Sequence, residues 1–166
     1  MLIAQWRKSA AALSAAVLLG AVPVTCLAVE HSHHSHGHEA HAQLALDNGK
    51  KWDTDDNLRH AMERIRDALA AELPAIHSGK ATAQQYNALA QKTNDQIAFM
   101  VKNCKLKLKA DAMLHLVLAD LIAGADSMAA QEGKAARKGA EKIAETLEKY
   151  DAYFNHPGWH GAHHAH

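Results

Sequence analysis

From Leu58 onward the apolar residues fall at helical periods. Leu58, Met62, Ile65, Leu69 and Ile76 recur at steps of three, four or seven, which draws one stripe down a helix. Asp53 or Thr54 can cap its start, and Asp55 and Asp56 suit the positive end of its dipole. Gly79 can stop it, and Pro74 either ends it early or kinks it. A second segment opens at T-A-Q-Q, where Thr82 and Gln85 have the spacing of a capping box. Its stripe is Tyr86, Leu89, Thr93, Ile97, Met100 and Cys104. The third, from Ala110 to Ala130, is apolar on most of its circumference and is expected to be the most buried. The fourth carries Ala136, Ala140, Ile143, Leu147, Tyr150 and Phe154 in register, with Gly133 and Gly158 just outside its ends. No stretch alternates as a strand would. Short links between four such segments predict an all-α, up-down-up-down four-helix bundle with flexible His-rich termini. In that topology the start of helix one, the end of helix two, the start of helix three and the end of helix four meet at one end.

The amino terminus has a different pattern. Arg7 and Lys8 precede the apolar run AAALSAAVLLGAVPV, and Cys26 and Ala28 occupy the small positions of an A-x-A-like cleavage site. This reads as an export signal and predicts a periplasmic or secreted protein. The alternatives are acylation at Cys26, which Pro23 and Thr25 suit poorly, and an uncleaved anchor, for which the run is short. The chain then divides into a signal peptide at 1–28, a His-rich disordered tail and connector at 29–50, a four-helix bundle at 51–159 and a His-rich tail at 160–166. Cleavage after Ala28 leaves 138 residues with 16 basic and 18 acidic side chains. That balance points to no nucleic acid partner, and no stable membrane insertion is expected after cleavage. Cys104 becomes the sole thiol of the exported chain, so it is buried, metal-bound or joined to a second copy in a homodimer.

Chemistry enters with the unusual side chains. In the bundle, Met62, Met100, Cys104, His115 and His156 all map to the same end. Thioether, thiolate and imidazole suit soft or borderline ions, copper foremost and zinc less exclusively. Met100 and Cys104 are one helical turn apart, and Asp111 lies one turn before His115, where it could orient the ring. Core packing explains the same residues individually, since methionine and free cysteine are common fillers. Lys102, Lys105, Lys107 and Lys109 would favour a thiolate at Cys104, while its place at a helix carboxyl end opposes one.

The segment LRHAMERIRDAL, with the export signal and four helices, resembles the cytochrome b562 type of periplasmic bundle. That resemblance implies haem b held by Met62 and by a histidine near the end of helix four, but Phe154 stands closest to the second position and His156 lies two residues beyond. Haem therefore needs a shifted ligand, and without C-x-x-C-H it is not covalently attached. NGKKWDTDDNLRHAMERIR, NCKL with ADAMLHLVLAD, and YDAYFNHPGW are together similar to small exported proteobacterial proteins of the DnrO-like type. This likeness implies the helical fold and brings no activity with it. Trp52, Phe154 and Trp159 flank helix ends that meet in the bundle and could form an aromatic plug.

The termini carry the densest chemistry. HSHHSHGHEAH supplies His31, His33, His34, His36, His38 and His41 within eleven residues, and His160, His163, His164 and His166 enrich the other end. Neutral imidazole ligates zinc, copper and nickel, and close spacing lets a loose chain offer several rings to one ion. Ordering each residue opposes binding by about 1–2 kcal/mol, a profile that suits buffering or capture. A pH-responsive tail and a solubilising spacer are the competing readings. No catalytic constellation is present. HEAH is one residue short of H-E-x-x-H, the only E-x-x-H runs from Glu30 to His33, and Asp120 and Asp126 read as structural acids. The sequence thus predicts a non-enzymatic periplasmic protein that binds transition metal ions for sequestration or tolerance. A haem b electron carrier and an interaction module without metal are the alternatives.

Overall fold

The structure, a computed structural model, describes residues 43–130 and 133–161. The export signal, Cys26, the histidines from His31 to His41, and His163, His164 and His166 lie outside the described residues. The described chain is all-helical apart from one very short strand pair. Its order is β1 (Trp52–Asp53), α1 (Asp56–His77), α2 (Ala83–Asn103), α3 (Leu108–Ala130), α4 (Lys134–Tyr153) and β2 (Phe154–Asn155).

Local chemistry sets the helix ends. Asp55 caps α1 by accepting a 2.7 Å hydrogen bond from the Leu58 N–H, one residue beyond the caps expected from the sequence. Pro74 falls in the last turn and does not stop α1, which runs on to His77 and closes through Ser78 and Gly79. Gly79 adopts φ +69°, the left-handed conformation that ends helices at low cost in glycine. Thr82 and Gln85 form the reciprocal capping box of α2. Before α1, Asn48 and Gly49 both have positive φ, and Asp47 and Lys50 exchange backbone hydrogen bonds of 2.8 and 3.0 Å. This tight hairpin, whose Asn-Gly signature matches its geometry, gives structure to what reads as a polar connector.

Every stripe residue read from the sequence is buried except Cys104, which is half-buried. α3 departs from expectation. Leu114, Val117, Leu121, Ala125 and Met128 are buried, but Leu108 is 86% exposed, Ile122 is 42% exposed, and Ala112, Ala119 and Ala123 are exposed. An apolar circumference therefore does not make α3 buried all round. By length and composition it is the one described helix apolar enough to cross a membrane, a property core helices share.

α1 packs on α2, α2 on α3, and α3 on α4, with α1 also touching α4. The tightest approach lies between α3 and α4, where Gly124 faces Gly139. A Cβ at Gly139 would stand 2.6 Å from the Gly124 carbonyl oxygen, whereas one at Gly124 would stand 2.7 Å from Ile143 Cδ1 and 3.0 Å from the Gly139 carbonyl oxygen. The ends of the helical body are joined by β1 and β2, which pair in parallel with Trp52 opposite Phe154 and Asp53 opposite Asn155. Thr54 Oγ1 adds a 2.6 Å hydrogen bond to the Asn155 carbonyl. The sequence reading contains no strand because two residues are too few to display alternation.

Gly139→Ala is expected to destabilise the protein by about 1–3 kcal/mol, since a backbone clash outweighs the helix-propensity gain of about 1 kcal/mol. Gly124→Ala, whose shortest approach is to a side-chain end and whose backbone contact is longer, should cost less. Urea unfolding midpoints of the two variants compare them directly.

Candidate functional site at the joined helix ends

The region where α1 begins, α2 ends and α4 gives way to β2 holds four of the six candidate ligands among the described residues: Met62, Met100, Cys104 and His156. Its hub is Asp55. While Oδ1 caps α1, Oδ2 accepts the backbone N–H of Lys105 at 2.6 Å, which fixes the link after α2 against the start of α1. Asn57 reinforces this by donating to the Asn103 carbonyl at 2.9 Å. Cys104 sits at the carboxyl cap of α2, its N–H bonded to the Met100 carbonyl, and its thiol hydrogen-bonds the Asp55 carboxylate. Burial, then the charge and hydrogen bond of Asp55, then the charge of Asp111 push its pKa up to about 12. Cys104 is thus a protonated donor despite the surrounding lysines, of which Lys107 is turned to Asp53 at 3.1 Å.

Met62 and Met100 are buried members of the continuous apolar core. His156 is also buried, with both ring nitrogens occupied. Nδ1 lies 3.0 Å from the Tyr150 hydroxyl and Nε2 lies 3.2 Å from Glu63 Oε1. A neutral ring accepting from Tyr150 and donating to Glu63 satisfies all three groups. Burial lowers the His156 pKa; the hydrogen bond and charge of Glu63 oppose that shift, and Arg59 and Arg66 add to it. Burial likewise pushes the Tyr150 phenol up.

Aromatic rings close the same region. Phe154 stacks on Tyr150 with centroids 5.3 Å apart, and Trp159 meets Tyr150 edge-on at 5.1 Å and leans on His156 at 4.8 Å. The Arg66 guanidinium lies over the Trp159 ring at 5.2 Å. Trp52 is half-buried and donates from Nε1 to the Ala45 carbonyl at 2.6 Å, tying the hairpin to the plug. The Phe154 position, where the cytochrome likeness would want a ligating histidine, is thus packed by a fully buried ring.

The chain matches no family model, no curated protein and no solved structure. The likenesses drawn above rest on the quoted residues alone.

The remaining candidates lie at the surface. His115 is on the solvent side of α3, its side chain 65% exposed, and Nδ1 donates to the Asp111 carbonyl at 2.9 Å with the Asp111 carboxylate at 3.5 Å. The hydrogen bond to His115 is thus made by the Asp111 backbone carbonyl, with the carboxylate standing farther off. His160 is exposed. Among the described residues, no group of three or more His, Cys, Asp or Glu side chains is spaced to hold a metal ion. Asp120 accepts from Lys142 and Lys149, both at 2.7 Å. Burial would raise its pKa, but these two cations more than offset that and hold it low. Asp126 is exposed.

Glu63, Arg66 and the hub role of Asp55 escape the sequence reading, because their partners lie far along the chain. Glu63 follows Met62 directly and sits beside the apolar stripe, which is a weak signal for an inward-turned acid.

Two measurements follow from these shifts. Cys104 should react with a thiol reagent at pH 8 far more slowly in the folded protein than in urea, and Asp55→Asn should accelerate the folded reaction. The His156 shift is downward from 6.5, so the unfolded chain takes up its proton first as the solution acidifies. Its contribution to stability is complete above pH 6.5 and is lost as pH falls from there through the folded pKa. The urea midpoint of the wild type should drop more between pH 7.5 and 5.5 than that of His156→Gln.

Proposed function

We propose that this is an exported protein that captures borderline transition metal ions through its histidine-rich ends, with an up-down-up-down four-helix bundle as the carrier. The observation that carries the reading is the run HSHHSHGHEAH, six imidazoles in eleven residues immediately ahead of the folded body. Imidazoles so closely spaced offer several nitrogen donors to one Cu(II), Zn(II) or Ni(II) ion and have no use in an apolar core. The bundle topology is supported by the α1–α2, α2–α3, α3–α4 and α1–α4 contacts and by the β1–β2 pairing, which brings the start of α1 to the end of α4. An exported compartment is supported by the charged and apolar pattern of residues 1–28.

An internal Met/Cys/His centre is the weaker reading. It would require Cys104 to surrender a proton held up to about pH 12 and His156 to release Tyr150 or Glu63. The tails demand neither. Calorimetric titration of the full chain with Cu(II), Zn(II) and Ni(II) should show saturable binding. Binding should fall sharply when His31, His33, His34, His36, His38 and His41 are all replaced by serine, and should survive Cys104→Ser. Binding that persists in the sixfold variant and disappears in Cys104→Ser would reverse the assignment. A Soret band in the purified protein would support the haem b alternative instead.

A further inference from the structure

Away from the Asp55 hub, a cleft of about 520 Å3 lies between the α1–α2 link, Tyr86 of α2 and the first turns of α4. The start of α4 is open. Gly133 holds its cap position at φ +59° and has no side chain to accept the first N–H groups of the helix. A Cβ there would meet nothing within 4 Å, so the backbone can be approached closely. Lys134, Arg137 and Lys138 line the cleft, and their spacing of three and four residues puts them on one face of α4. Arg137 gives its Nε to Glu141 at 2.9 Å, while its other guanidinium nitrogens and both lysines have no hydrogen bond or ion pair among the described residues. Glu141 is the one carboxylate lining the cleft, against three cations, which leaves two positive charges in excess.

A second observation comes from α2. Tyr86 is 4% exposed and its ring belongs to the apolar core, yet it lines the cleft and its hydroxyl has no hydrogen-bond partner among the described residues. A tyrosine this buried usually finds one. Among the described residues the side-chain polar atom that is both enclosed and unpaired is Trp159 Nε1, so the Tyr86 hydroxyl opens to the cleft. Burial raises the pKa of the phenol, with Arg137 opposing the shift and Glu141 adding to it, so the hydroxyl stays a protonated donor at neutral pH.

We propose that this cleft binds a phosphate group, free or as the terminal group of a monoester, with the first N–H groups of α4, Lys134, Arg137, Lys138 and the Tyr86 hydroxyl as its donors. The uncapped helix start supplies N–H groups and the positive end of the dipole, and the guanidinium supplies a planar pair of donors. A phosphate dianion balances the two excess positive charges. Donors arriving from two helices can also reach around its tetrahedral oxygens, where a carboxylate offers only two in one plane. The site is independent of metal capture by the tails, and neither depends on the other being right.

The test uses the full chain without added metal at pH 7.5, titrated with inorganic phosphate and, separately, with phenyl phosphate. In both titrations the amide NMR signals of Lys134, Ala135 and Ala136 should move saturably, and they should stay still in sodium chloride of equal ionic strength. Tyr86→Phe should weaken binding about fivefold and Arg137→Gln about tenfold. Because the hydroxyl has no protein partner to lose, Tyr86→Phe should leave the urea midpoint in phosphate-free buffer unchanged, which separates loss of a ligand contact from loss of the fold. Tighter binding of phenyl phosphate than of inorganic phosphate identifies a monoester as the occupant, and equal or weaker binding identifies free phosphate. The proposal is overturned if sodium chloride reproduces the shifts, if acetate binds as tightly as phosphate, or if Tyr86→Phe and Arg137→Gln both bind as the wild type does.

Discussion

One carboxylate, that of Asp55, organises the end of the protein where the candidate chemistry collects. It simultaneously caps α1, receives the Lys105 N–H and takes the hydrogen bond of the Cys104 thiol. The Leu58 N–H would otherwise be a partly buried donor without a partner, and such donors cost about 1–3 kcal/mol when left unmet. The consequence is reciprocal: α1 can begin where it does only if the α2–α3 link sits against it, and the link stays in place only while α1 is capped from this residue. The same interaction removes Cys104 from thiolate chemistry. A negative charge beside a half-buried thiol does the opposite of what the nearby lysines suggest.

The second constraint is the joining of distant chain segments around Tyr150 and His156. β1 and β2 are only two residues long, but the Thr54 hydrogen bond, the Glu63–His156–Tyr150 series and the Arg66–Trp159 contact all act across the same closure. Polar and aromatic contacts here are interdependent. His156 is positioned by its two partners, and its ring in turn supports Trp159. The buried histidine is thus a structural tie, held by Tyr150 and Glu63 on opposite sides of its ring.

How far the sequence foretold this depends on the range of the forces involved. The stripes from Leu58 to Ile76 and from Tyr86 to Met100 were legible because burial at helical period is a local pattern, and the Thr82–Gln85 box because its two partners are three residues apart. The cap of α1 was not, since Asp53, Thr54 and Asp55 are all suitable and the distant Lys105 N–H favours one of them. The Asn48-Gly49 turn carries a clear local signature within a stretch whose composition is that of a polar connector. α3 is less buried than its composition suggests because hydropathy reports what a helix could bury, not how much of its circumference neighbours cover. For the candidate ligands, spacing identified plausible donors without revealing which nitrogens and sulfurs were already in use.

The parallel strand pair has a consequence for how the molecule is made. Residues 52–53 meet residues 154–155, so all four helices between them must leave the ribosome before this junction can form. A nascent chain that has not yet reached Phe154 and Trp159 lacks the rings that fill and cover this end, which leaves the apolar side chains beneath them uncovered. The closing contact is therefore made last, after all four helices that it holds have been synthesised.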